Sequence, residues 1–321
     1  MKKILSGIQP SGELHLGNYF GAIKQYLEMQ EEHECYFFVA NYHAMTTIRN
    51  GSRLREQTFS VAADYLALGL DPEKAAIFVQ SDLPEVTELS WLLSTVTPVG
   101  LLERCHAYRD KISQGLSPDH GLFAYPVLMA ADILIQDADL VPVGQDQKQH
   151  VEVTRDIAQK FNHHYDREVF KLPESFILGE TAVVPGIDGR KMSKSYDNTL
   201  PIFAAEDDLK DRIMSIQTDS KPLDSPKDPD TCNLFAIFKL FASDEEREEV
   251  EEGYRQGGLG YGEVKERLCE LVLGHFAEAR ERRQKLEENP DYVREVLQDG
   301  VEKARENARP VFEAAREAAG C

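Results

Sequence analysis

Cysteine is scarce in this chain of 321 residues, and tryptophan occurs once. The five cysteines, at 35, 105, 232, 269 and 321, form no CxxC pair and are odd in number. That excludes a disulfide framework as the organising principle and leads us to expect a reducing, cytoplasmic setting. Cysteine and histidine do not cluster at ligand spacing either, so no sequence-local metal site is expected. No apolar run approaches the ~20 residues that a bilayer-spanning helix needs. The opening stretch from Met1 to Gly7 lacks a long apolar segment and a small-residue cleavage site, and reads as a first strand rather than a signal peptide. Positive charge is also short: 36 Lys and Arg stand against 56 Asp and Glu, a net charge of −20. Phosphate backbones are bound chiefly through Lys and Arg, so this balance argues against nonspecific nucleic-acid binding. Any RNA contact would need a local basic patch. Internal repeats and low-complexity segments are absent.

What is present describes a globular protein long enough for two domains, with 42% hydrophobic and 29% charged residues. Lys3 to Ile8, Cys35 to Ala40, Ala75 to Gln80 and Leu140 to Val143 read as strands. Segments near 18–32, 53–69, 86–94, 122–136 and 147–162 carry apolar residues at helical spacing. Alternation of this kind predicts an α/β fold, a doubly wound parallel sheet with Rossmann-like character. Such sheets bind ligands beyond the C-terminal ends of their strands. Gln9, Asn41 to His43, Ser81 and Gly144 to Gln147 all follow predicted strands, so one crevice is expected to collect them. From about 202 helical patterns dominate, broken by a Pro/Asp-rich loop at 219–230. The acid-rich run from Asp244 to Glu252 reads as a solvated helix face.

Four stretches carry candidate chemistry. Lys191-Met192-Ser193-Lys194-Ser195 follows an Asp188-Gly189 turn and places two ammonium groups on one loop. Cations there can stabilise charge that develops on a polyphosphate leaving group. Gln9-Pro10-Ser11-Gly12-Glu13-Leu14-His15-Leu16-Gly17-Asn18 turns from a strand into a helix, whose free N–H groups suit phosphate. Gly17 removes a Cβ where a ligand would press on the backbone, and His15 and Asn18 can donate to phosphate oxygens. Taken alone, this segment is equally an ordinary β-turn-α corner. In the helix Tyr125 to Leu134, Tyr125, Met129 and Asp132 fall at i, i+4 and i+7 and share a face. Asp132 sits among apolar neighbours and needs a partner. That partner is either a donor-only ligand such as an indole N–H or a neighbouring structural element. The stretch from Val141 to His150 ends a strand in Gly144 and opens a helix with Gln145, Asp146 and Gln147, which suit ribose hydroxyls or an ammonium. The same residues also make a polar helix cap, and His150, His163 and His164 read as structural or surface residues.

Together these motifs resemble the class I aminoacyl-tRNA synthetases, in which the Gln9–Asn18 and Lys191–Ser195 segments correspond to the HIGH and KMSKS motifs. Over essentially the full length the chain is similar to the bacterial-type tryptophanyl-tRNA synthetases. That resemblance implies a Rossmann catalytic domain at 1–200, a helical anticodon-binding domain at 201–289, and a C-terminal helix from about 290 that packs back on the catalytic domain. It implies activation of tryptophan by Mg-ATP, transfer to tRNA(Trp), and a homodimer. Lys191, Lys194, His15 and Asn18 would be catalytic. Gln9, Pro10, Ser11, Gly17, Asn18, Gly144, Gln145, Asp146, Val183, Lys111 and Lys191 to Ser195 would hold ATP. Asp132 would accept from the indole N–H, Met129 would pack on the ring, and Tyr125 and Gln147 would hold the amino group, with Gly7 and His43 also in the tryptophan site. Some relatives hold an iron–sulfur cluster on four cysteines. Here Cys232 is near the first such position, but Tyr254, Tyr261 and Val264 stand at or near the others, so no cluster is expected. Two alternatives remain: a tyrosyl enzyme, which the apolar Met129 disfavours, and a non-charging paralogue that senses tryptophan or binds RNA. Candidate tRNA contacts are Arg104, Arg109, Lys111, Arg280, Arg282, Arg283 and Lys285. The last four alternate with Glu278, Glu281, Glu287 and Glu288 and equally fit an exposed, salt-bridged helix.

Overall fold

In a computed structural model, residues 1–105, 108, 115, 119–177, 184–219 and 221–321 are described. Five described strands form one parallel sheet: β1 (Lys3–Ile8), β2 (Glu34–Val39), β3 (Ala75–Val79), β4 (Leu140–Val143) and β5 (Glu174–Ile177). The spatial order is β3-β2-β1-β4-β5. The chain therefore winds outward from β1 in both directions, which opens a crevice between β1 and β4 at their C-terminal ends. Register also keeps the ends of β1, β2 and β3 level: Ile8 lies opposite Val39, and Val39 opposite Val79.

Both faces of the sheet are covered, so the strands are apolar on both sides. Ile4, Cys35, Phe37, Val39, Ala75, Ile77 and Val79 point into one core, and Leu5, Tyr36, Phe38, Ala76 and Phe78 into the other. Helices Glu85–Ser94, His120–Ile135 and Lys148–His164 cover the second face. Helix Gly51–Leu68 packs on the first face, and residues of the C-terminal region, including Leu209, Ile213, Phe235, Phe238 and Phe276, continue the same apolar cluster. The strand β5 carries no strong apolar run and was not expected from the sequence. It is an edge strand whose side chains are exposed or half-buried, so the usual burial signal is weak. The helix expected at 18–32 is interrupted by a π-helical turn at Tyr19–Ile23 and ends at Met29. Gly21 and Ala22 of that turn face the crevice described below.

Helix Pro290–Ala319 runs along the other edge of the sheet. Val293, Val296 and Leu297 enter the first core, whereas Val301, Ala304, Ala308, Phe312 and Ala315 enter the second. The helix thus crosses the free edge of β3 and shields it from pairing with another chain. Crossing happens at Gly300, where an added Cβ would stand 1.9 Å from the carbonyl oxygen of Ile77.

The Arg-rich helix Ala277–Glu288 corrects one expectation. Arg280, Arg282 and Arg283 are not confined to pairs on an exposed helix. Arg280 donates to the carbonyls of Ile202 and Ala204 at 2.6 and 2.7 Å. Arg282 donates to the carbonyl of Ala67 at 2.8 Å, near the end of helix Gly51–Leu68, where unpaired carbonyls collect. Arg283 donates to the buried Asp64 at 2.6 Å. Burial pushes the Asp64 carboxyl up to about 6, and the Arg283 guanidinium opposes that shift. The i,i+4 pairs the sequence suggested are also present: Arg282 with Glu278 at 3.4 Å, Arg283 with Glu287 at 2.7 Å and the exposed Lys285 with Glu281 at 2.7 Å.

Gly300→Ala is expected to lower stability by about 1–3 kcal/mol, because the methyl must displace the β3 backbone or the helix. Urea denaturation of both proteins checks this; an unchanged midpoint would mean that the helix is not seated on β3 as described.

Candidate active site

A cavity of about 280 Å³ opens at the C-terminal ends of β1 and β4. Its walls include Gly7, Gln9, His43, Tyr125, Met129, Asp132, Gly144 and Gln147, which the sequence placed on four separate segments. Tyr125, Met129 and Asp132 project from helix His120–Ile135. Leu5, Phe38, Ile133, Val141 and Val143 add apolar wall. Gly7 has a steric reason: a Cβ there would lie 2.7 Å from the Phe38 ring. Beside it, the Ser6 hydroxyl donates to the Pro142 carbonyl at 3.1 Å and accepts from the Tyr26 hydroxyl at 2.7 Å, which fastens β1 to β4 beneath the cavity.

Asp132 is 4% exposed, and the structure answers the question of its partner with two protein groups. His43 Nε2 lies 2.8 Å from Oδ2. The Gln80 amide nitrogen donates to Oδ1 and Oδ2, both at 2.9 Å. Because a carboxylate only accepts, His43 must carry its proton on Nε2. Sequence reasoning missed Gln80 and singled out its neighbour Ser81. Ser81 instead bonds Asn41: the Asn41 amide donates to the Ser81 hydroxyl at 2.8 Å, and the Ser81 N–H donates to Asn41 at 3.1 Å. That reciprocal pair joins the exits of β2 and β3. The only available signal for Gln80 was its position directly after an apolar strand.

His150, expected to be structural, is buried with Nε2 2.9 Å from the Tyr125 hydroxyl. Burial raises the Tyr125 phenol above its ordinary range, so it serves as a neutral hydroxyl.

The nucleotide motifs meet although they lie far apart in sequence. Leu16 N–H donates to Leu200 and Ile202 N–H to Leu14, each at 3.0 Å, so the chain after the lysine loop runs beside the N-terminal motif. Gly17 N–H points at the Met192 sulfur at 3.4 Å, and Lys194 Nζ donates to the Gly12 carbonyl at 2.8 Å. Gly12 has a φ of +123, a conformation that suits glycine. A Cβ on Gly17 would come within 3.0 Å of the His15 ring. Asn18 turns back to accept from the His15 N–H at 3.1 Å. Burial, assisted by the Lys194 charge, pushes His15 down to about 4. The imidazole is therefore neutral near pH 7. Burial also pushes Lys194 down to about 8, against the opposing pull of Asp64 and Glu13.

A second unforeseen residue organises the lysine loop. Asn198, 1% exposed, accepts from the Ser193 N–H at 2.7 Å and donates to Asp188 at 2.7 Å and to the Lys191 carbonyl at 3.2 Å. Its amide lies where a Gly186 Cβ would stand, 2.3 Å away. The Asn198 bond, followed by Arg190, holds the Asp188 carboxyl below its usual range. From the helical region, Asn233 donates to the Gly186 carbonyl at 2.9 Å. Around this base, Met192 is buried, Lys191 is exposed, and Ser193 and Ser195 bond each other at 2.9 Å.

Gly144 follows β4, and Gln145, Asp146 and Gln147 form a 3-10 turn with Gln145 exposed. Gln9 lines the cavity, while Pro10 and Ser11 continue from it toward Gly12. Lys111 and Val183, like Arg109, lie outside the described residues.

Comparison with known proteins adds independent information. The family model of tRNA synthetases class I (W and Y) matches residues 1–277. The tryptophan–tRNA ligase of Fusobacterium nucleatum is 53% identical over 320 residues, covering 100% of this chain and 98% of its own. That of Rhodopirellula baltica is 53% identical over 318 residues, covering 99% of each. The crystal structure of tryptophanyl-tRNA synthetase from Campylobacter jejuni complexed with ADP and tryptophan superposes with a TM-score of 0.94 at 51% identity, covering 99% of this chain and 100% of that one. An acceptor-bearing apolar cavity beside two interlocked phosphate-type motifs, matched end to end at this identity, means that the chain belongs to the tryptophan–tRNA ligases of class I.

Proposed function

We propose that the cavity binds L-tryptophan and that the groove between the two motifs binds Mg-ATP. The observation that carries this reading is the meeting of the two motifs, Gly17 with Met192 and Gly12 with Lys194, on the chain that leads on from Gln9, which lines the cavity together with the buried Asp132. Asp132 accepts from the indole N–H, Met129 packs on the ring, and Tyr125 and Gln147 hold the amino group, with Gly7 and His43 shaping the wall. The nucleotide lies along Gln9 to Ser11, Gly17, Asn18, Gly144 to Asp146 and the Lys191–Ser195 loop. Among the described residues no group of three or more His, Cys, Asp or Glu is arranged to hold a metal ion. Magnesium would be carried on the phosphates of the ATP substrate, as the family resemblance implies.

In the first step the tryptophan carboxylate attacks the α-phosphorus, the bond to the bridging oxygen breaks, and pyrophosphate leaves with the electron pair. A terminal ribose hydroxyl of tRNA(Trp) then attacks the acyl carbon, loses its proton, and releases AMP. Neither step requires a protein nucleophile; positioning and charge stabilisation do the work. Neutral His15 and Asn18 donate hydrogen bonds to phosphate oxygens. Lys194 leaves the Gly12 carbonyl and, with Lys191, meets the charge that grows on pyrophosphate. We also infer a cytoplasmic homodimer that engages tRNA(Trp), as the family resemblance implies.

The reading is tested by amino-acid-dependent ATP–pyrophosphate exchange. Tryptophan should support exchange, whereas phenylalanine, which leaves Asp132 without its N–H, should be poorer by about 10⁴. Equal exchange with tyrosine would overturn the pocket assignment, and no exchange with any amino acid would overturn activation altogether.

Lys194→Ala should slow adenylate formation by about 10² or more with little change in tryptophan affinity. An unaltered single-turnover rate would remove Lys194 from catalysis.

The charged form of Lys194 is the active one, and its folded pKa is lowered to about 8. kcat/KM for ATP should therefore fall as pH rises through about 8, since this ratio follows the free enzyme. A profile flat through that range, or one that rises, contradicts the assignment.

A further inference from the structure

Gln80 reaches the buried Asp132 carboxylate from a different element of the fold. It is 1% exposed, in the 3-10 turn Gln80–Asp82 that follows β3. Its Oε1 accepts from the backbone N–H groups of Tyr42 and His43 at 3.0 and 3.4 Å. Because the amide oxygen faces those two donors, its nitrogen must face Asp132, and it reaches both carboxylate oxygens at 2.9 Å. The same turn at Tyr42 and His43 carries the His43 ring to Oδ2 of that carboxylate at 2.8 Å.

An ionised carboxylate offers about four acceptor sites. Gln80 fills one on each oxygen and His43 fills a second on Oδ2. One site remains on Oδ1, on a residue that lines the cavity. The arrangement is a fixed acceptor aimed at the ligand. A carboxylate held only by His43 would be free to rotate about its χ2 bond and to present either oxygen.

We infer that Gln80 is a positioning residue that fixes the free acceptor direction of Asp132 and so enforces the choice of an N–H-bearing side chain. This inference deepens the reading of Asp132 as the indole acceptor and rests on it. Gln80 touches neither substrate nor reacting atoms in this scheme; it acts through Asp132. Its role differs from packing because its two ends perform separate tasks. The oxygen holds the β2 exit loop, and the nitrogen orients the carboxylate.

The test separates those tasks. Gln80→Glu keeps an oxygen for the Tyr42 and His43 N–H groups but replaces the donor with an acceptor that repels Asp132. Gln80→Met removes both polar ends at similar volume and provides a second measurement if the first variant folds poorly. For each, pyrophosphate exchange is measured with tryptophan and with β-(3-benzothienyl)alanine, which keeps the fused-ring shape and lacks the N–H. Discrimination between the two should fall by about 10-fold or more in both variants, through a higher KM for tryptophan with KM for ATP unchanged. A general folding defect would depress both amino acids equally and leave their ratio intact, which would overturn the inference. Asp132→Ala serves as the reference. If it abolishes discrimination while both Gln80 variants retain it, only the role of Gln80 fails. If Asp132→Ala itself leaves discrimination intact, the underlying reading of Asp132 fails.

Discussion

A carboxylate buried among apolar side chains is the constraint around which this active site is organised. Asp132 projects from a helix packed against the sheet, where an unpaired charge would be prohibitively costly. Its donors come from two other places in the chain, His43 after β2 and Gln80 after β3. Both reach it because the parallel register brings the strand ends level. A one-residue slip of β3 against β2 would turn the strand's side chains to the opposite faces and withdraw Gln80 from the carboxylate. Sheet register and amino-acid recognition are thus the same geometric requirement.

On the nucleotide side the same economy appears in a different form. Lys194 is half-buried and holds the Gly12 carbonyl while Asp64 and Glu13 pull on its charge. Asp64 is itself engaged by Arg283 from the helical region. Arg283 thus ties the helical region to Asp64, whose charge acts on Lys194, and Asn233 makes a direct link at Gly186. These links give the loop a fixed base, while the exposed Lys191 and the Ser193–Ser195 pair stay at the surface.

Part of the chain's scarce positive charge is engaged within the protein. Arg280, Arg282 and Arg283 satisfy carbonyls and a buried carboxylate inside the protein, so they do not offset the acidic surface toward a ligand. Composition counts charge without saying which way it faces.

From the sequence alone came the parallel α/β pattern, the two phosphate-type motifs and the shared helix face of Tyr125, Met129 and Asp132. Each is local: periodicity of two or of 3.6, or residues a few positions apart, is fixed by backbone geometry before any long-range contact forms. The edge strand β5, the π turn at Tyr19–Ile23 and the roles of Gln80 and Asn198 were not legible. A buried glutamine and a surface one look alike in a string of letters, and β5 lacks the apolar run that marks a central strand. Which donors meet Asp132, and which carbonyl meets Lys194, depend on residues 52 to 182 positions apart. Only packing of the complete chain brings such pairs within 3 Å, and for that reason tertiary structure decided them.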